Sequence, residues 1–66
     1  RSRVSYLSNP NYVGDSLVGA LQQINVDTSF ENRQHLAKLN GITNYVGSAA
    51  QNLQLLQLLK EGKLIS

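Results

Sequence analysis

The tetrapeptide Asn-Tyr-Val-Gly occurs twice in this 66-residue chain, at positions 11–14 and 44–47. The two copies lie 33 residues apart, which is half the length of the chain. Each copy precedes a plausible helix cap, Asp15 or Ser48, and then an apolar run with helical spacing. Internal similarity at such a period is typical of repeated supersecondary units. The repeat therefore predicts two related turn-helix units packed on each other.

The size of the chain restricts how such units can be stabilised. A domain this short buries only about 60% of the surface of its unfolded chain, and small scaffolds usually need an additional constraint. The chain has no cysteine and one histidine, which excludes disulfides and a zinc site with the usual nitrogen and sulfur ligands. Self-association is the common constraint that remains.

Apolar spacing predicts three helices, over about residues 15–25, 28–39 and 48–61. Thr28 and Glu31 match a capping box at the start of the second helix. Gly41 predicts the end of that helix, and Gly62 the end of the third, with Leu64 and Ile65 available for the hydrophobic contact of its C-terminal cap. Residues 3–8 lean towards a short strand or an ordered extended arm. The predicted fold is a mainly α, small three-helix domain, with an extended N-terminal arm at 1–9 and a helical domain at 10–66.

The third helix carries more leucine than one buried face needs. At 100° per residue its apolar side chains cover more than half of its circumference, whereas a surface helix has a narrower stripe. We expect part of this surface to be buried against another copy of the chain, with the N-terminal arm as the alternative cover. The predicted oligomer interface consists of Leu53, Leu55, Leu58 and Leu59.

Composition favours a neutral, polar ligand. Thirteen of the 66 residues are asparagine or glutamine, whose amides both donate and accept hydrogen bonds. This suits hydroxyl-rich or amide-rich ligands such as glycans and peptidoglycan, although a polar surface of low charge is an equal alternative. The six basic residues are scattered, so a net charge of +2 is a weak indication of nucleic acid. No apolar run approaches the roughly 20 residues of a membrane span.

Few groups could support catalysis. The carboxylates are Asp15, Asp27, Glu31 and Glu61, of which the first two resemble helix caps. His35 lies four residues after Glu31, a spacing that gives a weak side-chain pair on a helix, and it is expected at the surface. No phosphate loop or metal motif is present. We therefore predict neither catalysis nor a cofactor.

The order of several short motifs resembles the C-terminal wall-binding domain of N-acetylmuramoyl-L-alanine amidases, which occurs in phage endolysins and autolysins of Gram-positive bacteria. The resemblance covers about residues 10–65 and departs at one place, where Gly14 leads directly into Asp15. The matching residues are Tyr12-x-Gly14, Ala20-Leu21, Val26-Asp27-x-Ser29-Phe30, Asn32-Arg33, Ala37, Asn40-Gly41-Ile42, Tyr45, Gly47, Gln51-Asn52, Leu55-Leu56 and Leu59-Lys60-x-Gly62-Lys63-Leu64.

This resemblance implies a non-catalytic targeting module that holds a separate catalytic domain of a full-length endolysin on peptidoglycan or another wall polymer. It also implies synthesis in the host cytoplasm, action at the cell wall, and assembly from extra copies of the domain. We expect a homotetramer rather than a dimer, in which several weak sites would gain avidity.

The two repeat copies supply the predicted ligand residues. Their tyrosines could stack on sugars while the adjacent asparagines bond hydroxyls, and packing into the core is the alternative. If one copy binds, the second is favoured. Arg33 could meet an anionic polymer or pair with a carboxylate. The full set is Asn11, Tyr12, Arg33, Asn44, Tyr45, Gln51 and Asn52. The alternative function is a small helical DNA-binding domain, although the start of the third helix lacks the basic residues that such a domain needs.

Overall fold

Three helices and a two-stranded sheet form the protein. The computed structural model describes residues 5–66, so residues 1–4 of the predicted arm lie outside the described part. The elements are β1 (Tyr6–Leu7), α1 (Leu17–Gln23), α2 (Phe30–Leu39), α3 (Ala49–Lys60) and β2 (Leu64–Ile65). The prediction of a small, mainly α domain with three helices is confirmed.

A serine begins each helix. The side chains of Ser16, Ser29 and Ser48 each accept a hydrogen bond from the backbone three residues on, which satisfies a free N–H of the first turn. The capping box predicted at Thr28 is therefore wrong by one residue. A capping box forms instead at α3, where the Gln51 side chain reaches back to the backbone of Ser48.

The three helices share one hydrogen-bond arrangement at their C-terminal ends. In α3 the Lys63 N–H donates to the Leu58 carbonyl (2.9 Å) and the Gly62 N–H to the Leu59 carbonyl (3.2 Å). This Schellman arrangement needs a left-handed residue after the cap, and Gly62 has φ +71°. The stop predicted at Gly41 forms similarly, with φ +83°.

The two-stranded sheet joins the segment before α1 to the segment after α3. The strand β1 pairs antiparallel with β2, with Tyr6 opposite Ile65 and Leu7 opposite Leu64. On the other side of β2, the Asn40 amide donates to the Ile65 carbonyl and accepts from its N–H, both at 2.9 Å. The sequence predicts a hydrophobic contact of Leu64 and Ile65 with the end of α3 and gives no indication of a strand there. They form a strand by pairing with β1, and Asn40 supplies on the other edge the bonds that a further strand would make.

The leucines of α3 mostly face inward. Leu55 and Leu59 are fully buried, together with Leu21 of α1 and Leu64 of β2. Leu55 and Leu59 are therefore core residues rather than the interface residues predicted from the sequence, because α1 and the sheet cover that face of α3. Leu58 is half-buried, and Leu53 is exposed. Among residues 5–66, no helix has the length and apolar character to cross a membrane.

Candidate functional site

The second repeat copy places Tyr45 in the core with a satisfied hydroxyl. The side chain is 4% exposed. Its hydroxyl donates to Oδ1 of Asn52 and accepts from Nη1 of Arg33, the latter at 3.2 Å. The structure thus brings together three of the predicted ligand residues, but their polar groups bond one another.

Arg33 is held on several sides. Its Nε donates to the Thr28 carbonyl (3.1 Å), and its guanidinium carbon lies 5.8 Å from the centre of the Phe30 ring. That ring in turn packs on Tyr45, with centroids 5.5 Å apart. Within the described residues Arg33 therefore bonds a carbonyl and a hydroxyl, and forms no ion pair with Glu31 or Asp27.

Gln51 holds the loop that precedes α3. Its Nε2 donates to the Asn44 carbonyl (3.2 Å), while its Oε1 accepts from the N–H groups of Val46 (2.9 Å) and Ser48 (3.4 Å). Both ends of the amide are therefore engaged. Asn44 has φ +58° and an exposed side chain. Of the predicted residues in this copy, Asn44 is the one presented to solvent.

An open groove of about 550 Å³ lies between the outer face of α2 and the loop that carries Asn44. Its lining combines amide, hydroxyl, imidazole, ammonium and carboxylate groups, so it offers both donors and acceptors. His35 is exposed on this face, as expected. The lining residues are Glu31, Gln34, His35, Lys38, Ile42, Thr43, Asn44 and Tyr45.

Sequence reasoning did not identify Gln34, Lys38 and Thr43 as site residues. They lie on the polar side of α2 and in the following loop, where a polar residue is usually only solvated. The spacing of Gln34 and Lys38, four residues apart on one helix face, was the available signal.

The first repeat copy is more open. Tyr12 is half-buried and Asn11 is exposed. Lys60 of α3 donates from Nζ to the Gly14 carbonyl (3.0 Å), and the same ammonium lies 5.9 Å from the centre of the Tyr12 ring. This places Tyr12 beside the C-terminal end of α3, whereas Tyr45 lies beside its N-terminal part. The two tyrosines therefore contact different parts of α3, because Asn52 and Lys60 are eight residues apart, a rise of about 12 Å at 1.5 Å per residue.

The tyrosine hydroxyls of the two repeat copies lie at equivalent positions. Seven residues after Tyr45 is Asn52, which accepts its hydrogen bond. Seven residues after Tyr12 is Gly19, where an added Cβ would lie 2.8 Å from the Tyr12 hydroxyl. Each tyrosine therefore folds back over the first turn of the next helix. This explains a glycine inside α1, which otherwise weakens a helix by about 1 kcal/mol.

A double-mutant cycle tests this explanation. In a Tyr12→Phe background, where the hydroxyl is absent, Gly19→Ala is expected to gain about 1 kcal/mol of helix stability and to raise the Tm by about 4–8 °C. In the wild-type chain the close approach should cancel the gain. Thermal denaturation of the four proteins measures the coupling. An equal rise in both backgrounds would show that the hydroxyl does not determine the need for glycine.

The carboxylates are dispersed. The Asp27 carboxylate accepts from the Ser29 N–H (2.9 Å), as a helix-start residue does. Glu61 accepts from the Gln57 side chain (2.7 Å), and Glu31 lines the α2 groove. In the described part of the chain, no three acidic, histidine or cysteine residues are grouped as a metal ion would require.

Comparison with known proteins relates the chain to phage endolysins. It is 45% identical over 62 residues to an L-alanyl-D-glutamate peptidase of Listeria phage A118. It is also 46% identical over 46 residues to an endolysin of Listeria phage A511. These matches cover 94% and 70% of the chain, but only 21% and 14% of the two relatives. The chain thus spans about a fifth or less of their length.

The relatives agree with the predicted resemblance in part. Their names connect the chain to phage endolysins and leave the predicted link to amidases open. No family model matches the chain, and no solved structure matches it significantly.

Proposed function

We propose that the chain is a non-catalytic module that binds the cell wall of Gram-positive bacteria and positions the catalytic domain of a phage endolysin. The observation that carries the proposal is the partial coverage. Nearly the whole chain matches one relative, yet it accounts for only 21% of that peptidase. The remaining length leaves room for the catalytic part. Synthesis in the host cytoplasm and action at the wall belong to the same proposal.

The groove along α2 is the proposed ligand site. Asn44, His35 and Gln34 offer exposed polar side chains on its two walls. Such groups bond the hydroxyls and amides of peptidoglycan without the cost of desolvating a full charge. Glu31 and Lys38 can meet charged groups of the same polymer. A mostly neutral, shallow groove suits an extended polymer better than a small, buried substrate.

The remaining predicted residues of the second copy support this groove. Tyr45 contributes to its lining, while Asn52, Arg33 and Gln51 hold Tyr45 and the Asn44 loop in place through the bonds described above. We propose that they position the site, because few of their polar groups are left free for a ligand. Asn44 remains a proposed contact from this copy.

Self-association is proposed through Leu53. Leu53 and the half-buried Leu58 are five residues apart, so they project about 140° apart around α3 and cannot share one flat interface. Leu53 borders a groove between α1 and α3 that also contains the exposed Val18 and Ala49. A second copy seated there would cover these apolar side chains. A tetramer remains favoured over a dimer, and a mass of 7.3 kDa by light scattering would contradict both.

A wall-binding assay tests the ligand site. A fusion of the chain to a fluorescent protein is expected to decorate Listeria cell walls. Gln34→Ala combined with Asn44→Ala should weaken binding about 10-fold or more, because each lost hydrogen bond contributes about 0.5–1.5 kcal/mol. Both side chains are exposed, but alanine at the φ of +58° of Asn44 costs about 1 kcal/mol, so binding should be measured well below the Tm of the variant.

Gln54→Ala is the matched control, since Gln54 is also an exposed helical glutamine but lies outside the groove. It should bind as the wild type does. The absence of binding to walls of Listeria and of other Gram-positive strains would contradict the proposed function. Equal binding by the control and the double variant would instead move the site away from α2.

A further inference from the structure

The hydroxyl of Tyr12 lacks the partners that its repeat counterpart has. The Tyr45 hydroxyl bonds both Asn52 and Arg33. At Tyr12 the residue equivalent to Asn52 is Gly19, which has no side chain to bond, and within residues 5–66 the Tyr12 hydroxyl forms no hydrogen bond. Among the described residues, every buried side-chain polar atom has a hydrogen-bond partner. The unbonded Tyr12 hydroxyl is therefore in contact with solvent.

A lysine lies over the same tyrosine. The Lys60 ammonium is 5.9 Å from the ring centre, a distance at which a cation interacts with an aromatic face. It has three donors and uses one on the Gly14 carbonyl. In the described part of the chain it forms no ion pair, since the ion pair found there joins Lys63 to Glu61 at 4.0 Å. The positive charge and two donors therefore remain available beside the ring of a tyrosine whose hydroxyl is unbonded.

Two glycines leave space around the Tyr12 hydroxyl. An added Cβ at Gly14 would lie 3.1 Å from the Tyr12 hydroxyl, and one at Gly19 would lie 2.8 Å from it. Gly14 also has φ +139°, a conformation that side chains rarely adopt. The two glycines thus place no side chain against the hydroxyl, and the nearby Ser16 hydroxyl is engaged by the Gly19 N–H.

We infer that Tyr12 and Lys60 form a second ligand subsite, which binds an anionic oxygen of a hydroxylated wall polymer. The Tyr12 hydroxyl donates to that oxygen while Lys60 supplies the opposite charge. The inference rests on the proposed wall-binding function and extends it to a region separate from the α2 groove. Carboxylates of peptidoglycan and phosphates of wall polymers share this chemistry. A subsite beside Lys60 in addition to the α2 groove lets one polymer chain engage both, and each then raises the effective concentration at the other.

The same substitution at the two repeat positions tests the subsite. Tyr12→Phe removes a hydroxyl that has no internal partner, so it should bind walls about 3- to 10-fold more weakly and keep the wild-type Tm. Tyr45→Phe removes a hydroxyl with two internal partners, so unlike Tyr12→Phe it should lower the Tm. Wild-type affinity in Tyr12→Phe, with walls still bound by the unaltered chain, would overturn the subsite and leave the proposed function standing.

Lysine substitutions identify the charge and its source. Lys60→Gln should weaken binding and make it less dependent on salt, whereas Lys60→Arg should retain both. Comparing untreated walls with walls stripped of phosphodiester-linked polymers by hydrofluoric acid separates the two anions. If the effect of Lys60→Gln is lost on stripped walls, the anion is phosphate; if it persists, the anion is carboxylate. Identical salt dependence of Lys60→Gln and the wild type on both preparations would overturn the charge contribution.

Discussion

Replacing Leu55 by aspartate is expected to unfold the protein. Leu55 is 0% exposed and belongs to the cluster in which α1, α3 and β2 meet. Loss of a buried leucine costs about 2–5 kcal/mol, and an unpaired carboxylate in the same place costs several more. A domain of this size has about 3–10 kcal/mol of stability in total. Circular dichroism at 25 °C should therefore show the loss of helix and of cooperative thermal unfolding.

Leu53→Asp is the matched control on the same helix. Leu53 is 49% exposed, so a carboxylate there remains hydrated and should change stability by about 0.5 kcal/mol or less. The variant should stay folded but lose the proposed association, which light scattering detects as a fall to the monomer mass. A folded, monomeric Leu55→Asp with an unchanged Tm would show instead that Leu55 faces a second copy.

Leu55 and Leu53 show which features of α3 the spacing of apolar residues predicts and which it does not. The spacing of leucines correctly predicts the length of α3 and its broad apolar surface. It cannot predict what covers that surface, because the cover includes β2, a strand of two residues that depends on Asn40 and on distant β1. Contacts between residues far apart in sequence decide such an element, and local propensity carries no signal for it.

The Asn-Tyr-Val-Gly repeat likewise predicts local structure but not the surroundings of each copy. It predicts the two turn-helix units, and the structure places both tyrosine hydroxyls over the residue seven positions later. The different environments of the two rings come from α2, because Phe30 and Arg33 pack on Tyr45 and have no equivalent near Tyr12. Sequence reasoning favoured the second copy as the ligand site. The structure leaves the first tyrosine half-buried with an unbonded hydroxyl and buries the second with its hydroxyl bonded to Asn52 and Arg33.

The candidate groove depended on tertiary structure for the same reason. Asn44 was predicted from its repeat, but Gln34 becomes its neighbour only when the loop after α2 folds back. The bond of the Ile42 N–H to the Ala37 carbonyl (2.8 Å) fixes that return. A helix stop at Gly41 was predictable, whereas the direction of the chain beyond it was not.

Replacing Asn9 by alanine is expected to be the most destabilising change at a polar residue. Asn9 is 7% exposed, and its Nδ2 donates to the Ala20 carbonyl (2.9 Å) and to Oε1 of Gln23 (3.0 Å). Its backbone N–H also donates to the Leu59 carbonyl (2.9 Å). One residue thus ties the N-terminal segment to both α1 and α3. Loss of the buried amide should cost about 2–3 kcal/mol and lower the Tm by about 8–20 °C.

Asn11→Ala supplies the control for this prediction, because Asn11 is in the same turn but is exposed. It should leave the Tm within about 4 °C of the wild-type value, since exposed substitutions change stability by about 0.5 kcal/mol or less. Asn9→Asp should be at least as harmful as Asn9→Ala, because a carboxylate would face the Ala20 carbonyl with no proton to donate. Equal Tm values for the variants at positions 9 and 11 would mean that the amide of Asn9 does not hold the N-terminal segment on the helices.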